Sequence, residues 1–174
     1  MLSNVILFQL GWFACVLGAA HGFAWAGALA AMLIVAWHVA RAHSPRRELA
    51  LAACAALLGV AFESLLAQTG WVRFGSGMLI EGTAPYWMVA LWGLFATTLN
   101  VSLRGLRARP WLGAMLGAIG GPLAYYAGAR LGALEFAAAG AALAAIAFGW
   151  AILTPVLFRA ALRLDGYAAQ GAAP

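Results

Sequence analysis

From Asn4 to Ala40 the chain runs without a single aspartate, glutamate, lysine or arginine. A helix needs roughly 20 apolar residues to cross about 30 Å of hydrocarbon. The tract is therefore too long for one membrane helix and fits two, with the turn at His21-Gly22. Across the 174 residues, 66% are hydrophobic and 9% charged, against about 45–50% and about 25% in ordinary soluble domains. Water does not tolerate contiguous apolar surface on that scale. The chain reads as an all-α integral membrane bundle, one polytopic domain over residues 1–174. The same balance excludes a disordered chain, a nucleic-acid binder and a disulfide scaffold.

Six spans follow from the apolar tracts: about 4–20, 22–40, 49–68, 85–102, 111–129 and 136–158. A mixed loop from Thr69 to Ala84 holds Trp71, Arg73 and Glu81, and a small polar tail follows Arg163. The formal charge is +5, and every basic residue is arginine. Arg41, Arg46, Arg47, Arg104, Arg107, Arg109, Arg159 and Arg163 fall on one side of this layout. Only Arg73 and Arg130 fall on the other. Basic loops stay in the cytoplasm, so both termini are expected there. The N-terminal Met-Leu-Ser-Asn lacks a basic leader region, so the first helix reads as retained. Cys15 and Cys54 lie inside apolar segments and behave as small hydrophobes.

The fifth span carries Gly113, Gly117 and Gly121 at four-residue spacing, then Gly128 and Gly132. Small residues on one face let membrane helices approach closely. The expected partner is the start of the sixth span, Ala137–Ala142 and Ala144-Ala145 around Gly140. The fifth helix is accordingly expected among the most buried. The same glycine face is a candidate for contact in a homo-oligomer.

Glu63 is the acidic residue well inside an apolar span, about 14 residues into the third helix and so roughly 7 Å beyond the midplane. An ionised carboxylate facing lipid costs several kcal/mol, so Glu63 must face the bundle, find a partner or stay protonated. The reading favoured is a neutral carboxyl, turned inward and hydrogen-bonded to a tyrosine. Tyr125 and Tyr126 share its depth, and one of them should face inward. Tyr86, Trp87 and Gln68 lie in the same half, with Arg130 at the mouth. Together they outline an aromatic-walled pocket with Glu63 and Tyr125 as candidate catalytic groups and the others as substrate contacts. An interfacial aromatic belt is the competing account, and the favoured one for Tyr86, Trp87 and Trp71.

A second polar set lies in the arginine-rich half: Thr97 and Asn100 on a face with Gly93, together with Asn4 and Gln9. Amides in hydrocarbon usually bond across helices, so glue is the simpler account, with Asn100 kept as a substrate-binding candidate. About 17 residues, roughly 25 Å of helix, separate His21 from His38, so they cannot share one iron. His43 shares the end of His38, and no metal-binding spacing is present. No metal or cofactor is expected. Three spans per half would suit an inverted-repeat transporter, but the halves share no visible repeat.

Ordered motifs extend along the chain. They are Asn4 with Phe8-Gln9 and Trp12-Phe13, Gly59 with Glu63, Pro85-Tyr86-Trp87, Ala90-Leu91-Trp92, and Phe95 with Thr98-Leu99-Asn100. Leu116-Gly117-Ala118, Gly121-Pro122-Leu123 with Tyr125, Gly128-Ala129 and Leu131-Gly132-Ala133 complete the set. From about residue 4 to 158 it resembles the small bacterial inner-membrane family catalogued as domain of unknown function 2878. The resemblance implies a helical inner-membrane protein and supplies no catalytic residue. The leading expectation is a protein that binds or modifies a lipid-like substrate, surrounded by membrane lipids. The alternatives are a proton-coupled small-molecule transporter and a non-catalytic accessory subunit; whether it is an enzyme stays open.

Overall fold

Glycine and proline set where the helices break. Gly22, in the left-handed region at φ +80°, turns the first helix into the second. Pro45 and Pro110 occupy the first turns of their helices, where a missing N–H costs nothing and the fixed φ is already helical. In the computed structural model, which describes residues 1–168, these signals delimit six helices. They are α1 (Leu2–Ala20), α2 (Ala24–Ala40), α3 (Pro45–Gln68), α4 (Tyr86–Leu99), α5 (Pro110–Arg130) and α6 (Ala139–Arg163). Residues 169–174 of the expected domain lie outside the described residues.

The fold is all-helical, and α1, α3 and α6 are long and apolar enough to cross a membrane. At 1.5 Å per residue, the 17 residues of α2 and the 14 of α4 span only about 26 and about 21 Å. Three hairpins, α1–α2, α3–α4 and α5–α6, build the bundle, with α4 packed against α1, α2 and α3 and touching α6.

That central place makes α4 the most buried helix, with Trp87, Met88 and the run from Trp92 to Leu94 and from Ala96 to Leu99 enclosed. This corrects the expectation for α5. Only Gly113, Gly117, Gly121, Tyr125 and Gly128 are buried there, while Trp111, Met115, Ile119 and Leu123 face outward. A glycine stripe closes one narrow seam and leaves the bulky apolar residues for the surroundings.

The seam does lie against α6, but further along than expected. A Cβ on Gly117 would run into the Trp150 carbonyl, and one on Gly121 would meet the Trp150 ring at 2.6 Å. One on Gly113 would meet Phe158 at 2.8 Å. Gly140, expected at the contact, faces open space. In an antiparallel hairpin the first half of α5 meets the later half of α6, so the alanine-rich start of α6 lies beyond these glycines. The residues before α6 are not helical. They form a strand, β2 (Leu134–Phe136), paired antiparallel with β1 (Val72–Phe74) from the expected loop. Val72 sits opposite Phe136 and Arg73 opposite Glu135. Three-residue strands fall below any readable periodicity. The ribbon ties the α3–α4 connection to the α5–α6 turn, at the end of the bundle opposite the arginine-rich turns. Phe74 from it meets the Trp87 ring edge-on at 6.2 Å.

Candidate functional site

Gly59 on α3 has no side chain, and the Trp92 ring of α4 occupies the space its Cβ would take. One turn further along α3, Glu63 reaches the far side of that ring. Trp92 Nε1 donates to Glu63 Oε1 at 2.8 Å, and the Tyr125 hydroxyl of α5 donates to the same oxygen. Trp150 of α6 stacks on Trp92 with centroids 4.6 Å apart and 25° between planes. Four helices thus meet around one carboxyl that is 0% exposed.

The cluster is not fully satisfied. Glu63 Oε2, Trp150 Nε1 and Thr154 Oγ1 are all buried without a hydrogen-bond partner. The Trp150 side chain lies close to the Tyr125 hydroxyl. A buried unpaired polar atom costs about 1–3 kcal/mol, so three in one neighbourhood are a concentrated expense. Both donors converge on Oε1.

Beside the cluster lies a cleft of about 650 Å³. α1 and α5 form its walls, and α4 with Trp150 of α6 forms its floor. Phe8, Trp12, Trp92, Phe95, Tyr125 and Trp150 present rings to it. Gly120 helps create the space, since a Cβ there would meet nothing within 4 Å. Phe13, Leu116 and Leu123 line it and are also exposed on the bundle surface, so the cleft opens sideways between α1 and α5. Glu63 is not on its wall; Trp92 and Tyr125 stand between the carboxyl and the cavity.

The sequence-derived candidates are distributed unevenly. Glu63 and Tyr125 come together, and Trp87 lines the cleft with its N–H held by the Ser76 carbonyl at 3.0 Å. Tyr125 is 4% exposed and Tyr126 51%, so Tyr125 is the inward tyrosine. Tyr86 is half-buried off the cleft, and Gln68 and Arg130 are exposed at the ends of α3 and α5. Those residues, with Tyr126, do not join Glu63 in one pocket. Asn100 sits at the far end of α4 in a different cluster.

That cluster centres on Glu48, which the expected span boundary at Leu49 left in a loop. Because α3 begins at Pro45, Glu48 falls in its first turn; the Ser44-Pro45 pair was the signal for it. Glu48 Oε2 accepts from His38 Nε2 at 2.9 Å. Its Oε1 accepts from Asn100 Nδ2 at 2.6 Å and Gly166 N at 2.8 Å. Arg107 donates to Asn100 Oδ1, to the Ala161 carbonyl and to Asp165. Arg104 adds a two-pronged contact to Asp165 at 2.6 and 2.7 Å. Burial alone would raise the Asp165 pKa, but the hydrogen bonds and charges of Arg107 and Arg104 hold it below its ordinary value. The Tyr167 hydroxyl donates to the His38 carbonyl at 2.7 Å. Its pKa is pushed up by burial and by the Glu48 charge. Asn4 and Thr97 pair separately, Asn4 Nδ2 donating to the Thr97 carbonyl at 3.1 Å while Ser102 donates to Asn4 Oδ1. Among the described residues, no three His, Cys, Asp or Glu side chains gather as a metal site would need.

The sequence model of the family described as "Protein of unknown function (DUF2878)" matches residues 1–156. No curated protein and no solved structure matches the chain. The matched stretch holds the whole cleft wall and Glu48, while Asp165 and Tyr167 lie past its end.

Proposed function

The chain belongs to the family described as protein of unknown function DUF2878, and we propose that it is a six-span membrane protein holding a lipid-like substrate in the α1–α5 cleft. The observation that carries this reading is the cleft itself: apolar, aromatic, and open at the side of the bundle. Its volume falls in the range of about 300–1,000 Å³ typical of small-molecule sites. A lateral mouth suits a ligand that arrives through the bilayer. The eight arginines at the turns after α2 and α4 and at the end of α6 support a cytoplasmic reading of that face, and of both termini, by the positive-inside rule. The bacterial inner membrane is the setting this implies.

On this reading Tyr125 touches the substrate, and Glu63 positions the Tyr125 hydroxyl and keeps a proton behind it. The wall presents ring faces rather than a nucleophile, and a proton would reach the substrate only if the Tyr125 hydroxyl turned from Glu63 toward the cleft. The modification it supports best is proton donation to an electron-rich carbon, the rings stabilising the positive charge that results. Proton-coupled transport is disfavoured by a specific feature. Between Glu63 and the arginine-rich end, Leu51, Ala55, Leu99, Leu157 and Phe158 form an apolar cluster, which weighs against a polar path through the bundle. A docking role for the glycine face is disfavoured because α6 already fills it.

Filling the cleft tests the proposal. Gly120→Phe puts a ring into open space and removes a helical glycine, which by itself stabilises a helix. Mass spectrometry of lipid retained through detergent washing should find bound lipid on the wild type and little on Gly120→Phe at equal thermal stability. Equal retention by both proteins would contradict a lipid site in the cleft.

A further inference from the structure

We infer that the cleft takes one acyl chain of a membrane glycerophospholipid, with the headgroup at the arginine-rich face and the chain end against the Tyr125 wall. This rests on reading the cleft as a lipid site and adds the ligand's class and direction. The two ends of the cleft differ in chemistry. One end is formed by Val5, Ser102 and Leu103, next to the short 3-10 turn Arg104–Leu106 and the start of α5. Arg109 is exposed there; Arg104 and Arg107 are already engaged by Asp165. An anionic phosphate would find positive charge at this end.

The other end is closed by Trp87, Gly128 and Leu134 beneath the β-ribbon. Three of its donors are engaged within the protein: those of Trp92 and Tyr125 go to Glu63, and that of Trp87 goes to Ser76, while Trp150 Nε1 is buried without a partner. That end presents ring faces and methylenes, which suit hydrocarbon. Gln9 stands between the two on the α1 wall, exposed to the cleft side. Its amide has no hydrogen-bond partner within the described residues, an arrangement that leaves both a donor and an acceptor for an ester. From Val5 to Val16, α1 lines the cleft for roughly 16 Å at 1.5 Å per residue, room for the greater part of one extended chain. The open side between α1 and α5 lets the second chain of the same lipid remain in the bilayer.

The test uses the full-length protein in vesicles of phosphatidylethanolamine and phosphatidylglycerol. The phosphatidylglycerol carries a photoreactive diazirine either beside the ester or at the chain end. Labelling specific to the cleft is that which Gly120→Phe abolishes. We expect the ester-side probe to label the Val5–Gln9 stretch and Ser102, and the chain-end probe to label Ala124 to Gly128 and Trp150. Gln9→Leu should reduce the ester-side labelling several-fold. A free fatty acid with the same diazirine should label several-fold less than the phospholipid. Reversed order along the cleft, or a fatty acid labelling as well as the phospholipid, would overturn this inference while leaving a lipid site in the cleft. No cleft labelling by any of the probes would overturn both readings.

Discussion

Glu48 and Glu63 are buried on the same helix, near opposite ends of α3, with exposures of 2% and 0%. Around Glu48 both oxygens are engaged, by His38, Asn100 and the Gly166 N–H. Around Glu63 both donors converge on one oxygen, and the other has none. The first arrangement is a closed joint that ties α2, α3, the end of α4 and the segment after α6 together. The second sits behind the wall of a cleft and leaves polar capacity unused. Burial is the same in the two regions. They differ in whether hydrogen bonding is complete and whether a cavity lies alongside.

The contrast breaks if the two carboxylates respond alike to removal. Glu48→Ala strands His38, Asn100 and a backbone N–H in the interior. Leaving a buried polar group unpaired costs about 1–3 kcal/mol, and several are stranded here, so denaturation in detergent should show a loss at or above the upper end of that range. Close behind comes Gly117→Leu, which drives a side chain into the Trp150 carbonyl and Thr154. Overpacking costs about 1–3 kcal/mol, and separating α5 from α6 should pull Tyr125 from Glu63 while leaving the Glu48 joint intact. The same substitution at Gly120 meets open space and should leave the melting temperature unchanged or slightly raised.

Acid should also act at one end only. The folded-state pKa of Asp165 is lowered, so its stabilising contribution is present above the unfolded value of about 3.9. It is lost as pH falls through the lower folded value. Asp165→Asn should therefore flatten the acid limb of a stability–pH curve without changing lipid retention; an unchanged limb would show that the Arg104 and Arg107 contacts contribute nothing. The smallest expected effect is that of Glu63→Gln on stability. The amide oxygen can still accept from Trp92 and Tyr125, so the cost should stay below about 1 kcal/mol, although the group can no longer hand on a proton.

The sequence made one of these regions more legible than the other. An acidic residue far inside an apolar tract stands out, and a tyrosine at matching depth is its natural partner. Depth, however, carries no information about direction around a helix. Consecutive residues point about 100° apart, so Tyr125 enters the bundle and Tyr126 leaves it, and Gln68 and Arg130 share a level with Glu63 without sharing a pocket. Glu48 was hidden by a boundary error of one turn, since a charge beside arginines reads as loop. Asn4 and Asn100, grouped by depth in the sequence, serve different joints. The cleft itself was invisible because it is defined by atoms that are missing, at Gly120 above all, and by the spacing of α1 from α5. The β-ribbon was too short to show any alternation.

The central claim is that Glu63 is a neutral carboxyl kept in reserve behind the cleft wall. Infrared difference spectroscopy of the wild type against Glu63→Gln, at neutral pH in lipid vesicles, addresses it directly. We expect a protonated carboxyl stretch that disappears in Glu63→Gln and moves when Gly120→Phe fills the cleft. A carboxylate band assigned to Glu63 at neutral pH would contradict the claim.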